Sequence, residues 1–530
     1  MRRWNGWGDD LTNYPLPESA GKYLLEHIGS GDTSQDAALE SVLSTVPPSR
    51  LPERSLVSYE PIERLMHARG QSLPDWIALR TGRIGDFPDG VAYPTCDEEL
   101  RSLFGFGQEC LARLIAFGGG TSVVGHINPT AGGQAVLTVD LSYLDRLISL
   151  DTVSQLATIE AGASGPKIER QLGRLGYTLG HFPQSFEFST LGGWIATRSS
   201  GQQSYYYGRI EGLFAGGHLE TLIGPLDLPP LPASAAGPDI RQIILGSEGR
   251  FGVITRAVVR VRPLPQSEIF FGAFFHSWDG AMAAVRKIAQ ERVPISMARL
   301  SDAQETETTL MLSGKTRLVE WADRGLRLFR YGPGRCLLIY GITGEEEIVR
   351  ETKNQANDVI TRNGGLYTGV MAGRAWRKSR FLGPYLRNSL WEAGYAIDTL
   401  ETALPWCSVG QAAEGIKQAI RESQEHANHR VLVLCHLSHI YEDGASIYIT
   451  YLFPRMPDPD ETIQNWKAMK SAASQAIIQM GGTISHQHGV GIDHKLYLHA
   501  EKGLVGIEIL QGIARVLDAG GLLNPGKLID

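Results

Sequence analysis

The sequence has little of what extracellular and membrane proteins carry. It contains five cysteines among 530 residues, and none of them form a C-x-x-C pair. This low, odd number argues against a disulfide framework and favours a reducing, cytoplasmic environment. The first residues, MRRWNGWGDD, contain no apolar signal segment. No stretch approaches the roughly 18–20 apolar residues that a membrane span requires.

An excess of positive charge is also missing. The formal net charge is -7, which argues against nucleic acid as a partner, because nucleic-acid binding requires a basic surface. A small anionic substrate needs only local positive charge. The composition, with 42% apolar and 20% charged residues, is typical of soluble globular proteins. At roughly 150 residues per domain, the length predicts about three domains.

The common nucleotide motifs are absent too: there is neither a G-x-G-x-x-G opening a helix nor a G-x-x-x-x-G-K-[ST] loop. Instead, a short apolar run ends in a glycine turn. Glycines let backbone N–H groups approach an anion closely, and successive N–H groups form a nest for a pyrophosphate. The candidate cofactor-binding residues of this segment are Phe117, Gly118, Gly119, Gly120, Thr121 and Ser122.

Two further glycine-containing segments follow. Residues 183–201 are rich in hydroxyls and small side chains, which suits contact with a neutral ring and ribityl chain; the candidates are Pro183, Gln184, Ser185, Thr190, Gly193, Trp194, Ser200 and Gly201. Residues 246–255 read as a turn entering a strand, where close backbone approach requires glycine. The candidates there are Glu248, Gly249, Gly252, Val253 and Ile254.

Hydrophobic patterning divides the chain. Strand and helix signals alternate between residues 88 and 262, which predicts an α+β unit. We expect a partly helical lead at residues 1–83, a cofactor domain at 84–265 and a second α+β domain at 266–484. A C-terminal segment at 485–530 would return its histidines to the active site.

The order and spacing of the three glycine segments resemble the FAD-binding domain of the vanillyl-alcohol-oxidase superfamily. This resemblance implies a two-part FAD-binding domain, an α+β cap domain for the substrate, a C-terminal helical segment and non-covalent FAD. Within that superfamily the chain is similar, nearly from end to end, to alkyldihydroxyacetonephosphate synthases. The motifs that carry this similarity include Arg3–Gly8, Gly180-His181, Ser185–Thr190, Glu401-Thr402 and His488–Gly491.

The resemblance implies a transferase reaction without net redox change. The family exchanges the acyl group of acyl-dihydroxyacetone phosphate for a fatty alcohol, which forms the ether bond of an ether lipid precursor. Arg387 occupies the position of the family's phosphate-binding arginine. The implied catalytic residues are Tyr448, His486, His488, His181 and Arg299. Removal of a substrate proton near neutral pH favours a histidine base.

The chain departs from the family at two positions. Gln487 replaces the middle of three consecutive histidines, and glutamine forms hydrogen bonds but cannot exchange a proton as imidazole does. His436 stands where the family carries arginine. His488 is retained for the base role that the resemblance implies.

The main alternative is an FAD-linked dehydrogenase or oxidase of a D-2-hydroxy acid or another alcohol. Many such enzymes bind a metal between a G-D-G-N-x-H strand and an E-H-G-I-G loop. Tyr448 replaces the histidine of the first motif and Gln487 the glutamate of the second, so we expect no metal there. An oxidase for a different lipid, or an FAD-binding protein without catalysis, are further alternatives.

A lipid substrate has consequences for partners and location. It implies an apolar tunnel and a peripheral contact with a membrane, although no membrane-facing patch can be located from the sequence. The resemblance also implies a homodimer. We therefore expect a cytoplasmic protein that associates with membranes and binds no nucleic acid.

Overall fold

The computed structural model describes residues 2–130, 132–312, 324–327, 331–425 and 429–530. Three sheets and a two-stranded ribbon organise this part of the chain. Its helices span Glu18–Ile28, Leu39–Leu43, Pro61–Met66, Leu73–Thr81, Asp97–Cys110, Gly165–Gly173, Leu191–Thr197, Ser204–Tyr207, Ile210–Leu213, Arg241–Ile244, Trp278–Gln290, Ala303–Leu312, Glu346–Arg362, Met371–Ser379, Gly383–Glu392, Trp406–Glu425, Pro459–Gln479 and Leu498–Leu517, with a 3₁₀ turn at Lys495–Tyr497.

Two sheets belong to the N-terminal half of the chain. The first is mixed, with the strand order Val57–Ser58, Gly90–Ala92, Val136–Asp140 and Arg113–Phe117. The second is antiparallel, with the order Leu147–Asp151, Leu156–Glu160, Val253–Arg260, Phe214–Thr221 and Gly224–Leu228. The ribbon pairs Tyr177–Thr178 with Arg262–Pro263. Each of the two sheets has its own buried apolar cluster.

The third sheet, called here the large sheet, is antiparallel and has seven strands. Their order is Gly365–Tyr367, Ser267–Phe275, Cys336–Gly344, Met297–Ser301, Leu432–Ile440, Gly444–Pro454 and Tyr395–Pro405. Helices Trp278–Gln290, Glu346–Arg362, Trp406–Glu425 and Pro459–Gln479 pack against it or against one another over the largest apolar cluster.

The period of two along these strands separates core from cavity. In the strand Leu432–Ile440, the side chains of Val433, Cys435 and Leu437 belong to the apolar cluster under the helices. The intervening Leu434 and His436 line a cavity on the opposite face. One face of the large sheet therefore packs against the helices in the core, and the other face lines the cavity and is available for a binding site.

The N-terminal segment packs on the second half of the chain. The Trp7 N–H donates to Asn388 Oδ1 at 3.2 Å, and Asn388 Nδ2 donates back to the Trp7 carbonyl at 3.0 Å. A Cβ on Gly6 would lie 2.5 Å from Asn388 Oδ1, so this approach requires glycine. The helix Gly383–Glu392, which carries Arg387, is held by this contact.

The local sequence fixes both ends of the helix Leu73–Thr81, which contributes to the site. Ser72 and Asp75 form a capping box at its start, and Gly82 ends it with φ 72°. The helix carries the fully buried Trp76, over whose ring the Arg387 guanidinium lies. The α+β expectation is confirmed, with a flavin-type domain, a cap domain and C-terminal helix; the domain boundaries stay predictions.

Candidate active site

The first glycine loop lies directly against residues 183–201. A Cβ on Gly119 would stand 1.9 Å from the Phe188 carbonyl oxygen, and a Cβ on Gly118 would stand 2.4 Å from Thr190 Oγ1. Only glycine permits this approach, and Gly120 also has φ +65°. The two segments that the sequence suggested for one cofactor are therefore in contact.

The amides of this loop are available to an anion. Within the described residues, no protein group accepts a hydrogen bond from the N–H groups of Gly118, Gly119, Gly120 or Thr121. Ser122 has a different role, because its Oγ lies 2.7 Å from His126 Nδ1 and accepts from the His126 N–H. Unsatisfied N–H groups that face a cavity form the kind of nest that fits a diphosphate.

The third segment connects the cofactor loop to the C-terminal histidines. Glu248, at φ 52°, accepts hydrogen bonds from the N–H groups of Val490 at 2.5 Å and Gly491 at 2.9 Å. Asn524 donates to the carbonyls of Glu248 and His126 at 2.7 and 3.1 Å. The chain terminus thereby fixes the turn before the strand Val253–Arg260.

These segments line one cavity of about 990 Å³. Nearly all of the predicted cofactor-binding residues contribute to its wall: Phe117, Gly118, Gly119, Gly120, Thr121, Ser122, Pro183, Gln184, Ser185, Thr190, Gly193, Trp194, Glu248, Gly249, Gly252, Val253 and Ile254. Ser200 and Gly201 are buried but are not among the lining residues. The volume, the free amides and the glycines that a Cβ would disrupt all fit a flavin nucleotide.

Arg387 supplies a cation to the same cavity. Its Nη1 donates to the Gln71 carbonyl, and its guanidinium lies 4.3 Å from the centre of the Trp76 ring. Burial lowers the pKa of Arg387 to about 10, so the side chain stays charged at neutral pH. Its Nη2 has no hydrogen-bond partner among the described residues. An arginine in this state suits recognition of a phosphate.

Arg299 also lines the cavity, but it is part of an ion-pair cluster. Its Nη2 donates to Glu305 at 2.6 Å, and Glu305 lies 3.0 Å from His436 Nδ1. Burial opposes ionisation of Glu305, but His436 and Arg299 hold its pKa at about 2. Glu305 was not predicted from the sequence; it lies in the helix Ala303–Leu312, six residues after Arg299.

Tyr448 and His488 line the cavity side by side. The Tyr448 ring stacks on His436 with centroids 4.7 Å apart, and it meets His488 edge to face at 5.8 Å. Burial raises the pKa of Tyr448, and burial lowers the pKa of His488 to about 4. His488 is therefore a neutral imidazole at neutral pH, able to accept a proton.

The other two predicted histidines lie behind the wall. His181 is 1% exposed, its Nε2 lies 3.1 Å from Ser199 Oγ, and its ring packs on Trp194. His486 is buried with Glu401 and Tyr441. Neither is among the residues that line the cavity, so a direct contact with substrate is not supported for either. Their neighbours Trp194 and His488 do line it.

The remaining part of the cavity wall is apolar. Side chains from the large sheet and from neighbouring helices line it, namely Leu312, Leu337, Ile339, Leu386, Leu390, Ile397, Leu434 and Leu452. An apolar tunnel was predicted for a lipid substrate, but its lining cannot be identified from the sequence, because its residues come from many separate elements. Trp7 and Gln71 were also missed as lining residues, although Trp7 belongs to the N-terminal motif.

Two family models match the chain. One, described as FAD linked oxidases, C-terminal domain, matches residues 264–528, and the other, described as FAD binding domain, matches residues 88–219. The chain belongs to the FAD-linked oxidase family. It is a flavoprotein and an FAD-dependent enzyme of this family.

Individual relatives agree with the family resemblance. Alkyldihydroxyacetonephosphate synthase of Dictyostelium discoideum is 28% identical, over 99% of this chain and 93% of the relative. The Caenorhabditis elegans protein of the same name is also 28% identical, over 100% of this chain and 95% of the relative. A solved structure of an alkyldihydroxyacetonephosphate synthase matches with a TM-score of 0.85 at 26% identity, covering 99% of this chain and 98% of that one. The resemblance to this family is confirmed.

No helix within the described residues is both long enough and apolar enough to cross a membrane.

Proposed function

We propose that this enzyme exchanges the acyl group of acyl-dihydroxyacetone phosphate for a fatty alcohol and so forms an ether lipid precursor. The observation that carries the proposal is the composition of the cavity of about 990 Å³. Its wall includes the amide nest of residues 118–121, a half-buried arginine and an extended apolar surface. A substrate that carries both a phosphate and a long chain requires the arginine and the apolar surface together, next to a flavin.

The exchange is balanced without an external oxidant or reductant. The bond between C1 of the dihydroxyacetone phosphate unit and the acyl oxygen breaks, and the fatty acid leaves as a carboxylate. The alcohol oxygen forms the new bond to C1 and gives up its proton. A bound flavin would supply the two-electron chemistry of its ring system to this exchange.

Residues of the chain then have separate roles. Arg387 binds the substrate phosphate, because it is a desolvated cation with a free Nη2 in the cavity. His488 accepts a proton from the bound substrate, and Tyr448 orients the reacting end beside it. Arg299 is already paired with Glu305, so it acts together with that carboxylate rather than as a free cation. His181 and His486 act as positioning residues behind Trp194 and His488.

A peripheral membrane contact is part of the proposal. The helix Met371–Ser379 lines the cavity through Met371 and Trp376, and Met371 is 74% exposed. The same helix exposes Arg374, Arg377 and Lys378. An apolar side chain among basic residues at a cavity opening suits an anionic lipid surface, from which a long-chain substrate could enter. The homodimer and the cytoplasmic location stay predictions.

The decisive experiment supplies the purified flavin-loaded protein with acyl-dihydroxyacetone phosphate and labelled hexadecanol. We expect a labelled ether product and an equal amount of released fatty acid. Absence of product, together with bleaching of the flavin by lactate, glycolate or 2-hydroxyglutarate without oxygen, would show the dehydrogenase alternative instead.

A further inference from the structure

We propose that Glu401, His439 and His486 form a binding site for a divalent metal ion of the zinc type, outside the substrate cavity. Glu401 lies on the strand Tyr395–Pro405 and His439 on the strand Leu432–Ile440 of the large sheet. His486 lies in the loop before His488, and its N–H donates to the Glu401 carbonyl at 3.1 Å. None of the three lines the substrate cavity.

The donor atoms of the three residues converge. One ligand atom from each lies within 4.8 Å of the others, and His486 Nδ1 is 3.2 Å from Glu401 Oε1. Two donors bound tetrahedrally to one zinc at about 2.0–2.1 Å stand roughly 3.4 Å apart, so the His486–Glu401 pair already has this spacing, and His439 would have to approach by up to roughly 1.4 Å. All three residues are buried, at 1%, 7% and 4% exposure.

The outward nitrogens of both histidines are already held. His486 Nε2 lies 2.6 Å from the Tyr441 hydroxyl, and His439 Nδ1 lies 3.0 Å from Ser204 Oγ. This leaves His486 Nδ1 and His439 Nε2 for the centre of the cluster. Metal-binding histidines typically have their second nitrogen hydrogen-bonded in this way, because it fixes the ring and the tautomer.

Two buried polar atoms at the centre are poorly satisfied. Glu401 Oε2 forms no hydrogen bond within the described residues, and His486 Nδ1 has only its contact of 3.2 Å with Glu401 Oε1. Buried polar atoms are almost always satisfied, so these two require an explanation. A metal ion would satisfy both at once, and the anionic carboxylate would offset part of its charge. Arg209 donates to the His486 carbonyl and has Glu211 3.4 Å from its Nε.

A second group of converging donor atoms is less suited to a metal ion than the proposed site. Asp97, His218 and Glu220 also converge, but Arg256 and Arg101 already pair with the two carboxylates. The two arginines already compensate the charge of both carboxylates in that group, whereas no arginine or lysine pairs with Glu401 among the described ion pairs. The proposed site also differs from the metal motif of D-2-hydroxy acid enzymes, where this chain has Tyr448 and Gln487.

Two nitrogens and one carboxylate oxygen favour zinc among the metals that cells supply, with a water as fourth ligand. A bound zinc ion would have a structural role. The ion would join two strands of the large sheet to the loop that brings His488 into the cavity, and so would hold that loop in place.

The test uses the full-length, flavin-loaded protein. The protein is stripped with dipicolinate, incubated with zinc chloride, desalted and analysed for zinc per flavin. We expect about one zinc per chain, with His439→Gln retaining about a tenth or less. His499→Gln, which changes an exposed histidine, should retain zinc like the wild type.

Flavin absorbance and circular dichroism establish that each variant is folded. If His439→Gln does not fold, the zinc X-ray absorption spectrum of the wild type decides the question. We expect scattering from two imidazoles at about 2.0–2.1 Å. Zinc content at background in the wild type, equal zinc in wild type and His439→Gln, or a spectrum without imidazole would each overturn the proposal, whatever the enzyme's activity.

Discussion

Tyr448 and His488 meet edge to face in the cavity, with ring centroids 5.8 Å apart. Their elements are far apart in the chain: Tyr448 lies in the strand Gly444–Pro454, and His488 lies in the loop after residue 484. The loop is fixed beside this strand because the His486 N–H donates to the carbonyl of Glu401 at 3.1 Å, and Glu401 pairs with Tyr448 in the sheet. A hydroxyl donor and a neutral imidazole are therefore adjacent where the substrate is expected.

The first prediction concerns His488→Gln. Glutamine retains hydrogen bonding but cannot accept a proton, so we expect ether product formation to fall by about 10²–10⁴-fold. Bound flavin, measured by its visible absorbance, should be unchanged. His276→Gln, at an exposed histidine, is the control. Product formation by His488→Gln at the wild-type rate would exclude His488 as the base.

The second prediction concerns Arg387→Ala. Loss of the charged hydrogen bonds to phosphate should weaken substrate binding by about 1.5–3 kcal/mol, measured as a rise in the dissociation constant by titration. Arg387→Lys should recover part of this, because a charge remains without the planar fork. Arg362→Ala changes an exposed arginine on the helix Glu346–Arg362 and should bind normally. If Arg387→Ala bound the substrate as tightly as Arg387→Lys and Arg362→Ala, Arg387 would have no role in phosphate binding.

The third prediction tests the glycine loop. A Cβ on Gly119 would lie 1.9 Å from the Phe188 carbonyl, so Gly119→Ala must displace backbone from the cofactor site. We expect the purified variant to contain little flavin and to bind added FAD weakly. Gly133→Ala is the matched control, because its Cβ would meet nothing within 4 Å. Normal flavin content in Gly119→Ala would contradict the place assigned to this loop.

The flavin half of the site could be predicted from the sequence for a physical reason. Its contacts are made by backbone, and backbone approach leaves a local signature of glycines such as Gly118 and Gly252. The fold class followed from the same segments. Arg387 and His488 could be named only through the family resemblance.

Other parts of the site leave no such local signature. The apolar wall takes single residues, such as Ile397 and Leu434, from strands that are paired only in the folded sheet. Glu305 was missed because a lone glutamate in a helix usually faces water, whereas here Arg299 and His436 compensate its burial. His181 was expected in the active site, but it packs behind Trp194, and the linear sequence does not distinguish these two positions.

The fourth prediction concerns the helix Met371–Ser379. Replacing Arg374 and Arg377, which are exposed and do not line the cavity, by glutamate reverses the charge of its exposed side. We expect binding to vesicles containing phosphatidylserine, measured by co-sedimentation, to fall several-fold per replaced charge, since each basic residue near an anionic surface contributes about 1 kcal/mol. Turnover of a soluble short-chain substrate should stay unchanged. Equal sedimentation of variant and wild type would show that this helix does not contact the membrane.

The fifth prediction concerns Lys527, whose side chain is fully buried. Its Nζ donates to the Asn128 carbonyl at 2.6 Å, and burial lowers its pKa from 10.5 to about 7. Between these values the unfolded chain binds a proton that the folded protein has lost. The contribution of Lys527 to the free energy of unfolding therefore rises with pH across this window.

Lys527→Met removes the ionisable group while keeping an unbranched side chain. We expect the variant to unfold at a higher temperature than the wild type at pH 7, if loss of the hydrogen bond to Asn128 costs about 1 kcal/mol and the charge penalty exceeds it. The difference should shrink as the pH rises towards about 10, because the wild-type lysine then folds uncharged at little cost. Thermal unfolding of both proteins, with the exposed Lys467→Met as control, measures this. A difference that stays constant over this pH range would mean that Lys527 is folded in its charged form and would contradict the prediction.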